Sequence, residues 1–192
     1  MRSFLIIASI VTILTSPARA QAWMEYNYPD FGFAVAFPTD PTLESVLYQT
    51  TGGTVLNEIV YSVQQDSSVY SVAVVDFSNA PSEEATALDQ AVKALSENGD
   101  VKLDIPARVN RNRGRQLSIN GKDGSHSTVA IFLADHRLYQ IQGTVLASNP
   151  DPISGDGIRF QQSLRFTGGN FGPRFGGNGF GRRRRPPPTQ PN

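Results

Sequence analysis

Ser127 to Leu146, STVAIFLADHRLYQIQGTVL, is the stretch that most constrains the fold. It combines β-branched and aromatic residues with one evident turn, at Asp135-His136. A two-residue turn pairs Ala134 with Arg137, and the register then runs inward. Leu133 meets Leu138, Phe132 meets Tyr139, Ile131 meets Gln140, and Ala130 meets Ile141. Side chains alternate across a strand, so Ala130, Phe132, Tyr139 and Ile141 share one apolar face. Val129, Ile131, Leu133, Leu138, Gln140 and Gln142 share the other, which has polar interruptions. A strand apolar on both faces, like Val129 to Ala134, belongs inside a sheet covered on both sides. Asp-His is not a favoured pair for so tight a turn, and a longer loop is the alternative.

The rest of the chain supplies partners for that hairpin. Short strands are expected over Trp23 to Tyr28 and Phe33 to Phe37, separated by a Pro29-Asp30 turn. Thr42 to Gln49 and Thr54 to Gln64 flank a Thr51-Gly52-Gly53 loop, as in a hairpin. Val69 to Phe77 is apolar at nearly every position and is a second candidate for the middle of the sheet. Val101 to Val109 is extended, and Pro106 places it at an edge or a bulge. Arg111 to Gly114 reads as a turn leading into a strand over Gln116 to Asn120.

Two helices are expected. Ser82 to Asn98 has Ser82 as its cap, acids Glu83 and Glu84 in the first turn, and Gly99 where a left-handed residue ends a helix. Its apolar stripe is Ala85, Leu88, Ala91, Val92 and Leu95. The second carries Ile153, Phe160 and Leu164 and runs to about Arg165.

The N-terminus reads as a cleaved export signal. Arg2 precedes the apolar run Phe4 to Leu14, which is too short to span a bilayer, and Ala18-Arg19-Ala20 fits a signal peptidase site. The expected mature chain starts at Gln21, in the periplasm or outside the cell. The chain has no cysteine, which excludes disulfides, thiolate metal sites and a lipoprotein anchor. No later run is long enough to span a membrane.

The 17 acids balance the 17 bases, but they are segregated. All the acids lie between Glu25 and Asp156, with only 10 bases in residues 21–166, so that part stands at −7. From Thr167 onward there is no acid and five arginines, Arg174 and Arg182 to Arg185, among Gly, Asn, Pro and Phe. The domain plan is therefore a signal over 1–20, a globular part over 21–166, and a basic tail over 167–192 expected to be disordered.

FGFAVAFP at Phe31 to Pro38, the Arg137-Leu138-Tyr139 strand and the closing Ser163-Leu164-Arg165-Phe166 together resemble the PsbP-like family. Its members are extrinsic photosystem II proteins and their bacterial secreted relatives. The resemblance implies an α+β fold in which an antiparallel sheet is sandwiched by helices, α-β-α. It also implies an assembly or binding role and brings no catalytic residues. Many bacterial members are lipoproteins, and the missing cysteine departs from that pattern.

The residues give little sign of catalysis. His126 and His136 sit at the two ends of one strand, roughly 33 Å apart for ten residues, too far to share a metal or a catalytic pair. Asp151, Ser154 and Asp156 lack the alternate spacing of a calcium loop and read as capping and turn residues. No nucleophile elbow, phosphate loop or zinc-protease motif occurs. No catalytic residue, metal ligand or cofactor is assigned. Arg108, Arg111, Arg113 and Arg115 cluster around the expected turn as an anion-binding patch or a solvated loop. Gln140, Gln142 and Thr144 mark a groove or a partly covered face.

The expected function is an exported, non-enzymatic binding or assembly-support module. Arg182, Arg183, Arg184 and Arg185 in its tail, with the Arg108 cluster, would contact anionic lipid, polysaccharide or an acidic protein, and no nucleic acid. The alternative is a periplasmic hydrolase with a carboxylate acid-base group in a surface groove.

Overall fold

The computed structural model describes residues 23–149 and 155–167. The expectations for the export signal, for the tail beyond Thr167, and for Asp151 and Ser154 lie outside the described residues. Along the chain run β1 (Met24–Tyr28), β2 (Phe33–Phe37), β3 (Thr42–Gln49), β4 (Val55–Gln65) and β5 (Ser68–Asp76). Then come α1 (Pro81–Asn98), β6 (Gly99–Val109), β7 (Asn112–Gly121), β8 (His126–Ala134), β9 (Arg137–Val145), α2 (Asp156–Gln162) and β10 (Arg165–Phe166).

The β8–β9 hairpin forms in the register counted from the sequence, from Ala134↔Arg137 to Ala130↔Ile141. The turn has two residues, with Asp135 at φ 48° and His136 at φ 62°. Both are left-handed, as a primed hairpin turn requires, although neither is the glycine that usually supplies it. Seven antiparallel strands make the main sheet, in the order β3-β4-β5-β9-β8-β7-β6. β8 and β5, the two strands apolar on both faces, are both interior. β6, with Pro106 and a register shift between Val101 and Leu103, is an edge.

One face of this sheet packs on α1. Val75, Leu117, Ile119, Val129, Ile131 and Leu138 form a buried cluster with Ala87 and Ala91, and Leu88, Val92 and Leu95 are half-buried against it. The helix is rotated from the expected stripe: Ala87 is buried and Ala85 is exposed. Ser82 does not cap it. The N-cap is Ala80, with Pro81 in the first turn, where its missing N–H costs nothing. Gly99 is extended at φ −166°, so the helix passes straight into β6 without a left-handed ending.

On the other face α2 provides only part of the cover, so the α-β-α expectation is met in part. β1, β2 and β10 form a separate three-stranded antiparallel sheet, in the order β1-β2-β10. It shares that face with α2. Phe33, Val35 and Phe37 of β2 join Phe160, Leu164 and Phe166 over Val72, Val74, Phe132, Tyr139 and Ile141. The class remains α+β with a mostly antiparallel sheet.

α2 stops at Gln162, short of the Arg165 expected. Ser163 turns the chain: its hydroxyl donates to the Phe160 carbonyl at 2.7 Å and accepts the Ala36 N–H at 3.0 Å. Arg165 and Phe166 then pair with Ala34 and Phe33. Two glycines let α2 sit directly on β9. A Cβ on Gly143 would lie 2.6 Å from the Gly157 Cα.

Candidate functional site

The arginine cluster does not surround a turn. The β6–β7 turn is only Asn110-Arg111, and Val109 pairs with Asn112. Arg113 and Arg115 lie within β7, and Arg108 stands directly across from Arg113. Arg115 is engaged by Asp104, its Nε donating at 2.8 Å to Oδ1 in a bidentate contact. Arg108, Arg111 and Arg113 are exposed at this corner of the sheet. The structure thus gathers the four residues and pairs Arg115 with Asp104. Arg182 to Arg185 lie outside the described residues.

The two histidines hold separate structural posts. His126 Nδ1 lies 2.8 Å from Asn120 Oδ1 across the β7–β8 pair. His136, in the turn, lies 2.8 Å from Glu84 of α1. Asp156 is the first residue of α2 and does not cap it. Among the described residues no group of His, Asp and Glu is placed to hold a metal ion. No described helix is long and apolar enough to cross a membrane.

Gln140, Gln142 and Thr144 form a partly buried polar ladder on the α1 face. Gln140 donates to Gln142 at 3.2 Å, and Gln142 donates to Thr144 at 2.9 Å. The ladder leads into a pocket of about 190 Å³ between α1 and the sheet, lined by Tyr48, Glu58, Ala73, Val75, Ala91, Ala94, Leu95, Asn98, Leu138 and Gln140. Burial pushes the Glu58 carboxyl above the usual carboxylate range. Burial also pushes the Tyr48 hydroxyl up, and Glu58 adds to that. This is the perturbed carboxylate that the hydrolase reading asks for. The lining holds one carboxylate and no histidine.

Sequence reasoning did not single out Glu58. The signal was present: in β4, Leu56 and Val60 stand two residues either side of it, so the face turned to α1 reads apolar-acid-apolar.

The two edges of the main sheet differ. β6 carries Pro106, a bulge and the charged residues Asp100, Lys102, Asp104 and Arg108, the usual protections of an exposed edge. β3 has neither proline nor bulge, and Glu44 is its one charge. Among the described residues, its eight pair with β4 on one side only, leaving outward backbone groups without a partner strand. Leu43 is 59% exposed and Leu47 80%, on the same face as Val55 of β4 at 56%.

No protein-family model and no curated protein matches the chain. Among solved structures it is similar to cyanobacterial PsbP from Synechocystis, at 10% identity and a TM-score of 0.48, covering 79% of this chain and 96% of that one. It is also similar to a Pseudomonas aeruginosa protein of unknown function described as a putative regulator, at 7% identity and a TM-score of 0.38, covering 73% and 92%. The PsbP-like resemblance read from short motifs is therefore met again, weakly, among solved structures. Likenesses of this size carry nothing about activity or partners.

Proposed function

We propose that this chain is an exported, non-enzymatic binding or assembly-support module that receives an extended segment of another protein along β3. The contrast between the two sheet edges carries this reading. An eight-residue strand with unpaired outward backbone and exposed Leu43 and Leu47 is a template for strand addition. Backbone pairing supplies affinity there, and the two leucines supply side-chain selectivity. Charge argues against a second copy as the occupant. Glu44 is on the strand, Glu58 stands opposite Val46, and Glu83 reaches the β3–β4 loop at the Gly52 N–H. Two such edges would repel, and a neutral or basic segment fits.

The basic tail adds a second, weaker contact in this reading. Arg182 to Arg185 contribute about 1 kcal/mol each near an anionic surface at low salt, and Arg108 and Arg113 extend the patch. Vesicles rich in anionic lipid should cosediment the chain at low ionic strength and release it near physiological salt. An Arg182–Arg185 to Ser variant that cosediments like the wild type would remove this part of the proposal.

The edge itself is tested by Leu43→Lys with Leu47→Lys. This variant should keep its melting temperature and lose the partner recovered with the wild-type chain. Leu103→Lys with Ile105→Lys on the opposite edge should keep the partner. Equal recovery with both variants would refute the β3 reading.

A further inference from the structure

The pocket beneath α1 has a chemistry that the edge-strand reading does not use. Glu58 makes no hydrogen bond or ion pair with any described residue. Its carboxyl oxygens are not sealed in, and the residue lines the pocket. The two amides that line the same space have directed an N–H elsewhere. Gln140 Nε2 donates to Gln142 Oε1 at 3.2 Å, and Asn98 Nδ2 donates to the Ala94 carbonyl at 3.1 Å. The Gln140 and Asn98 side-chain oxygens remain as acceptors on residues that line the same pocket as Glu58. No lysine or arginine lines the pocket, and Lys93 lines the adjoining cleft with Glu97. Tyr48 adds one hydroxyl, and the rest of the wall is apolar, from Ala73, Val75, Ala91, Ala94, Leu95 and Leu138.

An occupant must therefore be rich in donors at one end and apolar at the other. A carboxylate ligand would meet like charge. An uncharged alkyl group would leave Glu58 desolvated and unpaired, which is costly. A protonated amine answers both requirements, with three N–H donors and a positive charge. The volume, about 190 Å³, is below the roughly 300–1,000 Å³ of drug-sized sites, so the ligand is small.

We propose that this pocket binds a small organic ammonium ion, its nitrogen held by the Glu58 carboxylate and its carbon chain lying against Ala91, Ala94 and Leu95. Burial raises the cost of charging Glu58, and a bound cation offsets that cost.

The test is a titration of the isotope-labelled whole chain with n-butylammonium, followed by amide chemical shifts at neutral pH. n-Butanol and butyrate are the uncharged and anionic controls. Saturable shifts should centre on Glu58, Ala94, Leu95 and Gln140. n-Butanol should bind about tenfold more weakly or worse, as should Glu58→Gln with n-butylammonium, because each loses a charge-assisted contact. Ala94→Leu, at an exposed helix position facing the pocket mouth, should block binding by bulk and provides a second, independent variant. Equal affinity for butanol and butylammonium, unchanged affinity in Glu58→Gln, or shifts that centre elsewhere would each overturn the proposal.

Discussion

His136 Nδ1 and Glu84 Oε2 lie 2.8 Å apart, joining the β8–β9 turn to the first turn of α1. Phe77 N–H donates to the His136 carbonyl at 2.8 Å just before the helix begins. The chain leaving β5 is thus pinned to the hairpin tip on its way into α1.

The pair makes a pH prediction. The Glu84 hydrogen bond, then its charge, raises His136 above the ordinary imidazole value. The unfolded histidine titrates near pH ~6.5. A raised folded pKa means the contribution is fully present below that pH and is lost as pH rises through the folded value. Imidazole NMR should place the His136 midpoint above the ordinary imidazole value, and Glu84→Gln should bring it down. A His136 midpoint unmoved by Glu84→Gln would show that the contact is not formed in solution.

The same turn stores backbone strain. Asp135 and His136 both sit at positive φ, which glycine tolerates far better than other residues. Asp135→Asn with His136→Gly should stabilise the chain by about 1 kcal/mol in urea unfolding. The measurement belongs well above the imidazole titration, where the Glu84 contribution is already gone. Destabilisation there would contradict the two-residue turn.

Helix α2 depends on the Gly143–Gly157 approach. Gly143→Ala places its Cβ against helix backbone, which has no flexible end to move aside. Overpacking of this kind costs about 1–3 kcal/mol. The same variant should loosen Phe160, which packs with Trp23, Phe37 and Tyr70, and so weaken the small sheet. Calorimetry would give the cost, and near-ultraviolet circular dichroism would report the Trp23 environment.

Much of the main sheet was legible because its signals are local. Alternation in 127–146 determined which residues face each other, and Pro106 marked an edge. The misreadings arose where long-range contacts decide. Nothing in FAVAF says that it pairs with Arg165-Phe166 in a second sheet, because a two-residue strand has no period to detect. Leu164 fits a helical row with Phe160, yet Ser163 ends the helix by bonding to Ala36, a residue 127 positions away. The α1 stripe was misphased because alanines at 85, 87 and 91 carry little contrast in hydrophobicity. The arginines looked like a loop because the true turn is one of the tightest available. The α1 pocket needs β3, β4, β5, β9 and the helix in place before Glu58 is seen to be alone.

The central claim is that β3 is the docking edge. A photoactivatable crosslinker in place of Leu47, with a second chain carrying it in place of Ile105, tests this directly in the cell. The account predicts a discrete adduct to another protein from position 47 and none from 105, with the position-47 adduct abolished by Val46→Pro in a variant that still folds. No adduct at 47, an adduct consisting of two copies of this chain, or equal adducts from both edges would contradict it.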